Sequence, residues 1–178
     1  MLRIIFGDLN SKYKNIRINS NYQKKDLYKT DIIAYLPQHQ LLPENIKIRK
    51  AFKLFNVDWN TFAQLFESFK KYNNMSTNKV SSGELRVIET YLILNSNKAI
   101  ILLDEPFSFI APIYMEKIKL LIAEKKTNSA IIISDHFYRD ILEISDEIYF
   151  LKDGYSKVIS SKEDLENEGY ITSSLPQK

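Results

Sequence analysis

The chain has 178 residues, the size of one ordinary domain, and its composition of 44% hydrophobic and 26% charged residues is typical of a globular protein. It has no cysteine, which excludes disulfides and thiolate metal sites, and no apolar run approaches the roughly 18 residues that a membrane span needs. The net charge of +3 is scattered without a basic stripe, so we expect no nucleic-acid partner.

Two short strands are predicted near the start of the chain. Residues 15–20 alternate apolar and polar side chains, which is typical of a half-buried strand. Residues 31–36 predict a second strand that ends before Pro37.

A small helical unit is predicted to follow, over residues 46–95. Its first part carries phenylalanines at helical spacing, Phe62, Phe66 and Phe69, which we expect to be core. Its second part is a helix whose apolar side chains, beginning at Leu85, share one face.

The second half of the chain predicts a parallel sheet. Residues 99–103 and 130–133 are near-continuous apolar runs, as expected of strands buried on both faces. Residues 113–126 between them have helical periodicity, which gives a β-α-β unit and hence an α/β fold. A helix over 136–144, two strands around the turn at 153–154 and a charged helix complete the prediction.

Two carboxylates, Asp104 and Glu105, directly follow the first buried strand. Ligands of α/β sheets bind at the carboxyl ends of the strands, where one carboxylate can hold Mg²⁺ on a triphosphate and a second can activate water. The alternative is a strand that simply ends in a charged turn.

Three other positions have both an ordinary and a functional interpretation. His136 follows the neighbouring strand, where it can reach the same ligand or merely open a helix. Gln38 is either a turn residue or a further ligand. The run Ser81, Ser82, Gly83 and Glu84 predicts a capped helix start, and such a start is also an anion site.

The order and spacing of these groups resemble those of ATP-binding cassette (ABC) ATPases. Gln38, the run from Val80 to Glu84, the run from Leu103 to Pro106, and the run from Ser134 to His136 are similar to the Q-loop, signature, Walker B and H-loop. Residues 1–9 resemble the helix that follows the phosphate-binding loop G-x-x-x-x-G-K-[ST] of that family, a motif that the sequence does not contain.

The resemblance implies a single ABC ATPase domain over residues 1–178, incomplete at its N-terminus, with the P-loop NTPase-type parallel sheet and an inserted helical subdomain. It implies Glu105 as the catalytic base and His136 as a catalytic contact to the γ-phosphate. Gln38 and Asp104 would contact Mg²⁺, and Ser81, Ser82, Gly83 and Glu84 would bind ATP, held for the most part by a second subunit.

The partners implied are therefore a second ABC ATPase subunit and a transmembrane transporter subunit, with ATP and Mg²⁺ as cofactors. The transmembrane partner would dock near Leu41, Leu42 and Pro43. The chain would lie in the cytoplasm, at the inner face of the membrane, in agreement with the absence of a readable secretory signal after Met1.

Besides the missing phosphate-binding loop, two departures from the family pattern leave a second function open. Ser82 replaces the first glycine of the signature, and Ala111 stands where the family usually has an aspartate. A degenerate, non-hydrolysing cassette that lends its signature face to a partner is therefore the alternative to an ATPase subunit that powers transport. An ABC-type ATPase of DNA repair or chromosome organisation is disfavoured. Such proteins insert a very long coiled coil between the Q-loop and the signature, whereas only about forty residues separate Gln38 from Ser81.

Overall fold

The computed structural model describes residues 1–170, which fall into two compact units that divide after His136. The first unit contains five α-helices and five strands among the described residues. Its helices are α1 (Leu2–Phe6), α2 (Ile48–Leu54), α3 (Trp59–Leu65), α4 (Ser82–Leu94) and α5 (Pro112–Lys125). Its strands are β1 (Arg17–Ile18), β2 (Asn21–Tyr22), β3 (Ile33–Leu36), β4 (Ile100–Asp104) and β5 (Ala130–Ser134).

The predicted parallel sheet is confirmed, in the order β3-β4-β5. Strand β4 lies in the middle, and its residues Ile101, Leu102 and Leu103 are at most 1% exposed, as a strand covered on both faces requires. Because the strands are parallel, their carboxyl ends lie at one edge, where Asp104 is in register with Ser134.

The helical region around α2, α3 and α4 is held by an aromatic core. Phe62 makes ring contacts with Phe52, Phe66, Phe69 and Tyr91 at centroid distances of 4.9–5.5 Å, and all five side chains are buried. The expectation that most of these phenylalanines are core is thus confirmed. Residues 67–72 and 77–79 form short 3₁₀ helices rather than extending α3.

One element differs from the prediction. Residues 15–20 do not form a single strand, because Asn19 and Ser20 adopt positive φ angles of 48° and 67° and reverse the chain. The result is a hairpin of the two-residue strands β1 and β2. The alternating pattern correctly located the strand but not the turn inside it.

The second unit contains the helix α6 (Tyr138–Ile144), the strands β6 (Ile148–Lys152) and β7 (Tyr155–Ile159), and the helix α7 (Lys162–Asn167). Strands β6 and β7 are antiparallel, joined by the predicted turn at Asp153 and Gly154. A full capping box between Ser161 and Asp164 starts α7. In the described part of the chain, none of the helices combines the length and the apolar character needed to cross a bilayer.

Candidate functional site

The carboxylate of Asp104, at the end of β4, is held from both neighbouring strands. The Tyr35 hydroxyl on β3 donates to Oδ2 at 2.9 Å, and the Ser134 hydroxyl on β5 donates to Oδ1 at 2.5 Å. Burial, together with the Asp104 carboxylate, raises the pKa of Tyr35, so this hydroxyl stays protonated and remains a donor. Both oxygens of Asp104 therefore have fixed directions.

Glu105, the next residue, is held in a strained backbone conformation with φ at 52°. Its Oε1 atom accepts a hydrogen bond from Nε2 of Gln38 at 2.9 Å, and its Oε2 atom accepts one from the Ser108 hydroxyl at 3.1 Å. A left-handed conformation costs a residue with a side chain about 1–2 kcal/mol. Strain of this kind persists only where the surrounding structure holds it, and it recurs at active sites.

The helix start at Ser81 is capped as the sequence predicts. The Ser81 hydroxyl accepts the N–H of Glu84 and donates to the Glu84 carboxylate at 2.6 Å. Tyr72 also donates to that carboxylate, at 2.8 Å. Burial, the largest single influence, raises the pKa of Glu84, but these hydrogen bonds and the charge of Lys71 outweigh it and leave the pKa below its ordinary value. Glu84 thus acts in the cap as an ionised group.

Gly83 lies against the loop that follows Glu105. A Cβ atom at this position would be 2.2 Å from the carbonyl oxygen of Phe109, far inside a van der Waals contact. Phe109 itself has a positive φ of 64°, and its side chain is 86% exposed. The glycine is therefore required by close backbone approach, whereas Ser82, one residue earlier, is exposed.

His136 lies two residues beyond Ser134, past the end of β5. Its Nδ1 atom is 3.7 Å from Oδ1 of Asp135, whose Oδ2 accepts the N–H of Phe107 at 3.1 Å, and its side chain is 58% exposed. His136 thus stands at the same edge of the sheet as Asp104, although it does not line the cleft formed by the Gln38 loop, the start of α4 and the end of β4.

An open cleft of about 300 Å³ brings several of these groups together. It is lined by residues of the Gln38 loop, the start of α4 and the end of β4, among them Gln38, His39, Ser82, Arg86, Glu105 and Phe109. Three of the predicted site residues, Gln38, Ser82 and Glu105, therefore share one cleft although they are far apart in sequence.

Two buried charges on α4, Arg86 and Glu89, belong to the surroundings of the site but were not predicted. Arg86 donates to backbone carbonyls of Pro37 and Glu105, and Glu89 accepts the backbone N–H groups of Leu41 and Leu42. Burial lowers the pKa of Arg86 and raises that of Glu89. The signal available in the sequence was two charges among the apolar residues of α4.

The oxygen atoms at this site fit Mg²⁺, which is bound partly by its substrate, better than a metal ion that is bound entirely by protein side chains. Residues 1–170 contain no cluster of three or more histidine, cysteine, aspartate or glutamate side chains that could form a metal cage. Asp104 and Gln38 instead offer one carboxylate and one amide oxygen. Mg²⁺ is usually held by one or two carboxylates together with substrate phosphates.

Comparisons with known proteins give one consistent answer. The chain is 34% identical over 83 residues to the lipopolysaccharide export system ATP-binding protein LptB of Haemophilus influenzae, a match that covers 46% of the chain and 34% of that protein. It is 25% identical over 170 residues to ABC transporter A family member 11 of Dictyostelium discoideum, covering 85% of the chain and 20% of that protein. The chain is a homologue of ABC-transporter ATP-binding subunits.

Solved structures show the same fold. The structure of an ATP-binding subunit of an ABC transporter superposes with a TM-score of 0.72 at 16% identity, over 97% of the chain and 77% of that structure. A nucleotide-free ATP-binding cassette from an ABC transporter gives a TM-score of 0.68, also at 16% identity, over 96% of the chain and 79% of that structure. The α/β architecture is thus that of the ABC cassette, a P-loop NTPase fold.

The similarity to known proteins is limited in extent. No protein-family model matches the chain. The chain spans about a third of the length of the bacterial relative and a fifth of the length of the Dictyostelium relative. The activities of these longer relatives can therefore only be proposed for this chain.

Proposed function

We propose that this chain is an ATP-binding and ATP-hydrolysing subunit of an ABC transporter. The observation that carries the proposal is the hydrogen bond of 2.9 Å between Gln38 and Glu105, which joins the Q-loop to the acidic end of the central strand. The two residues are 67 positions apart, so the contact is not a product of local sequence. It brings together a carboxylate and an amide that line the same cleft, as the activation of a water molecule requires.

Glu105 is the general base in this proposal. Its carboxylate takes a proton from a water molecule as the water oxygen attacks the γ-phosphorus of ATP, and the bond from that phosphorus to the bridging oxygen of ADP breaks. Gln38 holds the Glu105 carboxylate and orients the water. Ser108 holds the other carboxylate oxygen at 3.1 Å, so the side chain is fixed before the nucleotide arrives.

Asp104 and Gln38 are the proposed Mg²⁺ ligands. When bound, Mg²⁺ neutralises the charge that develops on the phosphate oxygens. Tyr35 and Ser134 fix both oxygens of the Asp104 carboxylate from neighbouring strands, so Asp104 does not need to reorganise. Supporting partners of this kind set the direction of a metal ligand.

His136 and the signature residues complete the proposed contacts to phosphate. His136 donates to the γ-phosphate from the sheet edge. The start of α4, at Ser81, Ser82 and Gly83, offers backbone N–H groups and the positive end of the helix dipole to the ATP of a second subunit. Glu84 supports this helix start through its bond to Ser81.

The membrane-embedded partner is proposed to dock beside the Gln38 loop. Leu42 is 4% exposed and belongs to the core, so the docking surface is narrower than the sequence suggests. Leu41 is partly exposed and Pro43 is exposed, and both remain accessible for this contact. The chain would then work on the cytoplasmic side of the membrane through its partner.

Mg²⁺-dependent phosphate release from ATP by the native protein tests this proposal. Glu105→Gln is expected to lower turnover by at least ~10²-fold, the scale on which a positioned base contributes, while binding of a fluorescent ATP analogue is retained. Glu67→Gln removes an equivalent carboxylate whose side chain is 78% exposed, and it should leave turnover unchanged. Equal phosphate release by the native and Glu105→Gln proteins would exclude Glu105 as the base.

A further inference from the structure

Two charged side chains on α4 are buried and point at loops rather than at solvent. Those of Arg86 and Glu89 are only 7% and 2% exposed, and their closest charged atoms are 3.9 Å apart. Most of their hydrogen bonds go to the backbone of other segments, so the pair does more than neutralise itself.

Arg86 joins the start of the Gln38 loop to the end of β4. Its Nη1 atom donates to the carbonyl oxygen of Pro37 at 2.7 Å, and its Nη2 atom donates to that of Glu105 at 3.1 Å and to that of Asp104. Because the guanidinium group is planar and rigid, it fixes the separation of the two segments it bridges. Those segments carry Gln38 and Glu105.

Glu89 holds the other end of the same loop. Its Oε1 atom accepts the N–H groups of Leu41 and Leu42, both at 2.8 Å. Residues 37–42 are therefore hydrogen-bonded at both ends to α4. The same helix begins with the signature residues Ser82 and Gly83.

Stability alone gives a poor account of this arrangement. Removing two charges from water is unfavourable, and well-packed apolar residues in their place are often equally or more stabilising. The helix around them is buried and apolar and offers such packing. What the charges provide, and apolar side chains would not, is a set of hydrogen bonds to the backbone of other segments, and with them a fixed geometry among those segments.

We propose that Arg86 and Glu89 are positioning residues that carry any displacement of α4 to Gln38 and Glu105 and hold the contact between those two side chains in its reactive geometry. This inference rests on the proposed ATPase function, since the geometry in question is that of the water-activating pair. In this proposal neither Arg86 nor Glu89 contacts ATP. Both act through the backbone of the residues they hold.

A double-substitution experiment tests this role in turnover. Arg86→Gln and Glu89→Ala are each expected to lower kcat by about tenfold or more, because small misplacements of reacting groups are costly, with unchanged affinity for the ATP analogue. Added to Gln38→Ala, either substitution should reduce kcat by less than about twofold, since residues that act as one unit are not additive. Full multiplication of the two losses would overturn the proposal.

Matched controls separate positioning from general damage. Glu89→Gln keeps an acceptor oxygen for Leu41 and Leu42, and it should restore most of the kcat that Glu89→Ala loses. Thr90→Val alters a neighbouring buried side chain on α4, whose hydroxyl donates to the carbonyl of Arg86 at 2.8 Å, and it should leave kcat unchanged. A loss with Thr90→Val equal to that with Glu89→Ala would contradict the assignment.

Amide hydrogen exchange gives a reading that does not depend on turnover. Glu89 bonds the Leu41 and Leu42 amides but none in residues 105–108. If the two segments are linked through α4, Glu89→Ala should accelerate exchange in both. Acceleration confined to residues 41–42 would overturn the proposal even if the native protein hydrolyses ATP. Absence of Mg²⁺-dependent hydrolysis in the native protein would instead overturn the proposed function, and exchange would still decide the linkage.

Discussion

Gly83→Ala places a methyl group where the structure has a backbone carbonyl. The new Cβ would lie 2.2 Å from the oxygen and 3.1 Å from the carbon of the Phe109 carbonyl. A relaxed contact needs roughly one ångström more, so the loop of residues 108–110 must move as a unit. By helix propensity alone, alanine would be favoured over glycine by roughly 0.5–1 kcal/mol. Overpacking against a fixed backbone typically costs about 1–3 kcal/mol, so we expect a net loss of stability.

Urea unfolding followed by the fluorescence of Trp59, the single tryptophan, measures this effect. Ser82→Ala is the matched control, since it gives the adjacent helix position the same side chain, and we expect it to stay within about 0.5 kcal/mol of the native protein. Gly83→Ala should unfold at a clearly lower urea concentration than this control. An equal or higher midpoint for Gly83→Ala would refute the close approach of Phe109 to α4.

Three further outcomes follow from the same structure. Phe62→Ala, which removes a ring that is 0% exposed, should cost about 3–5 kcal/mol in urea unfolding, whereas Leu54→Ala at a 66% exposed site should cost little. The N–H and hydroxyl of Thr61 hold the pKa of Asp58 below its ordinary value of 3.8. The stability that the ionised Asp58 contributes is therefore present above about pH 4 and lost as the pH falls through the lowered pKa. The free energy of unfolding of Asp58→Asn should vary less with pH below 4, and an unchanged pH dependence would contradict the hydrogen bonds from Thr61 to Asp58. His136→Ala should lower phosphate release by about 10²-fold with ATP-analogue binding retained, and equal release would exclude the proposed contact to phosphate.

The central strand and its acidic end could be predicted because the signal is local. Four apolar residues before Asp104 require burial, and two adjacent carboxylates cannot follow them into the core, so the strand must end there. The helix start at Ser81 was predictable for the same reason, since a cap depends on residues three apart.

The rest of the site depends on contacts between distant residues. The sequence does not indicate that Tyr35 would reach Asp104 or that Arg86 would reach the carbonyl of Pro37, because these pairs are 69 and 49 positions apart. The turn at Asn19 and Ser20 was not predicted for another reason: Asn19 fits the alternation of a strand, and the turn follows from the positive φ angles of the two residues.

A structure of the Glu105→Gln variant, determined with Mg-ATP, tests most directly the claim that these residues form an ATP-hydrolysing site. The account predicts Mg²⁺ beside Asp104 and Gln38, His136 within hydrogen-bond distance of the γ-phosphate, and the start of α4 at Ser81 against the phosphates of a nucleotide bound by a second subunit. A nucleotide bound away from Asp104 and Gln38 would contradict the assignment of these residues to the ATP site.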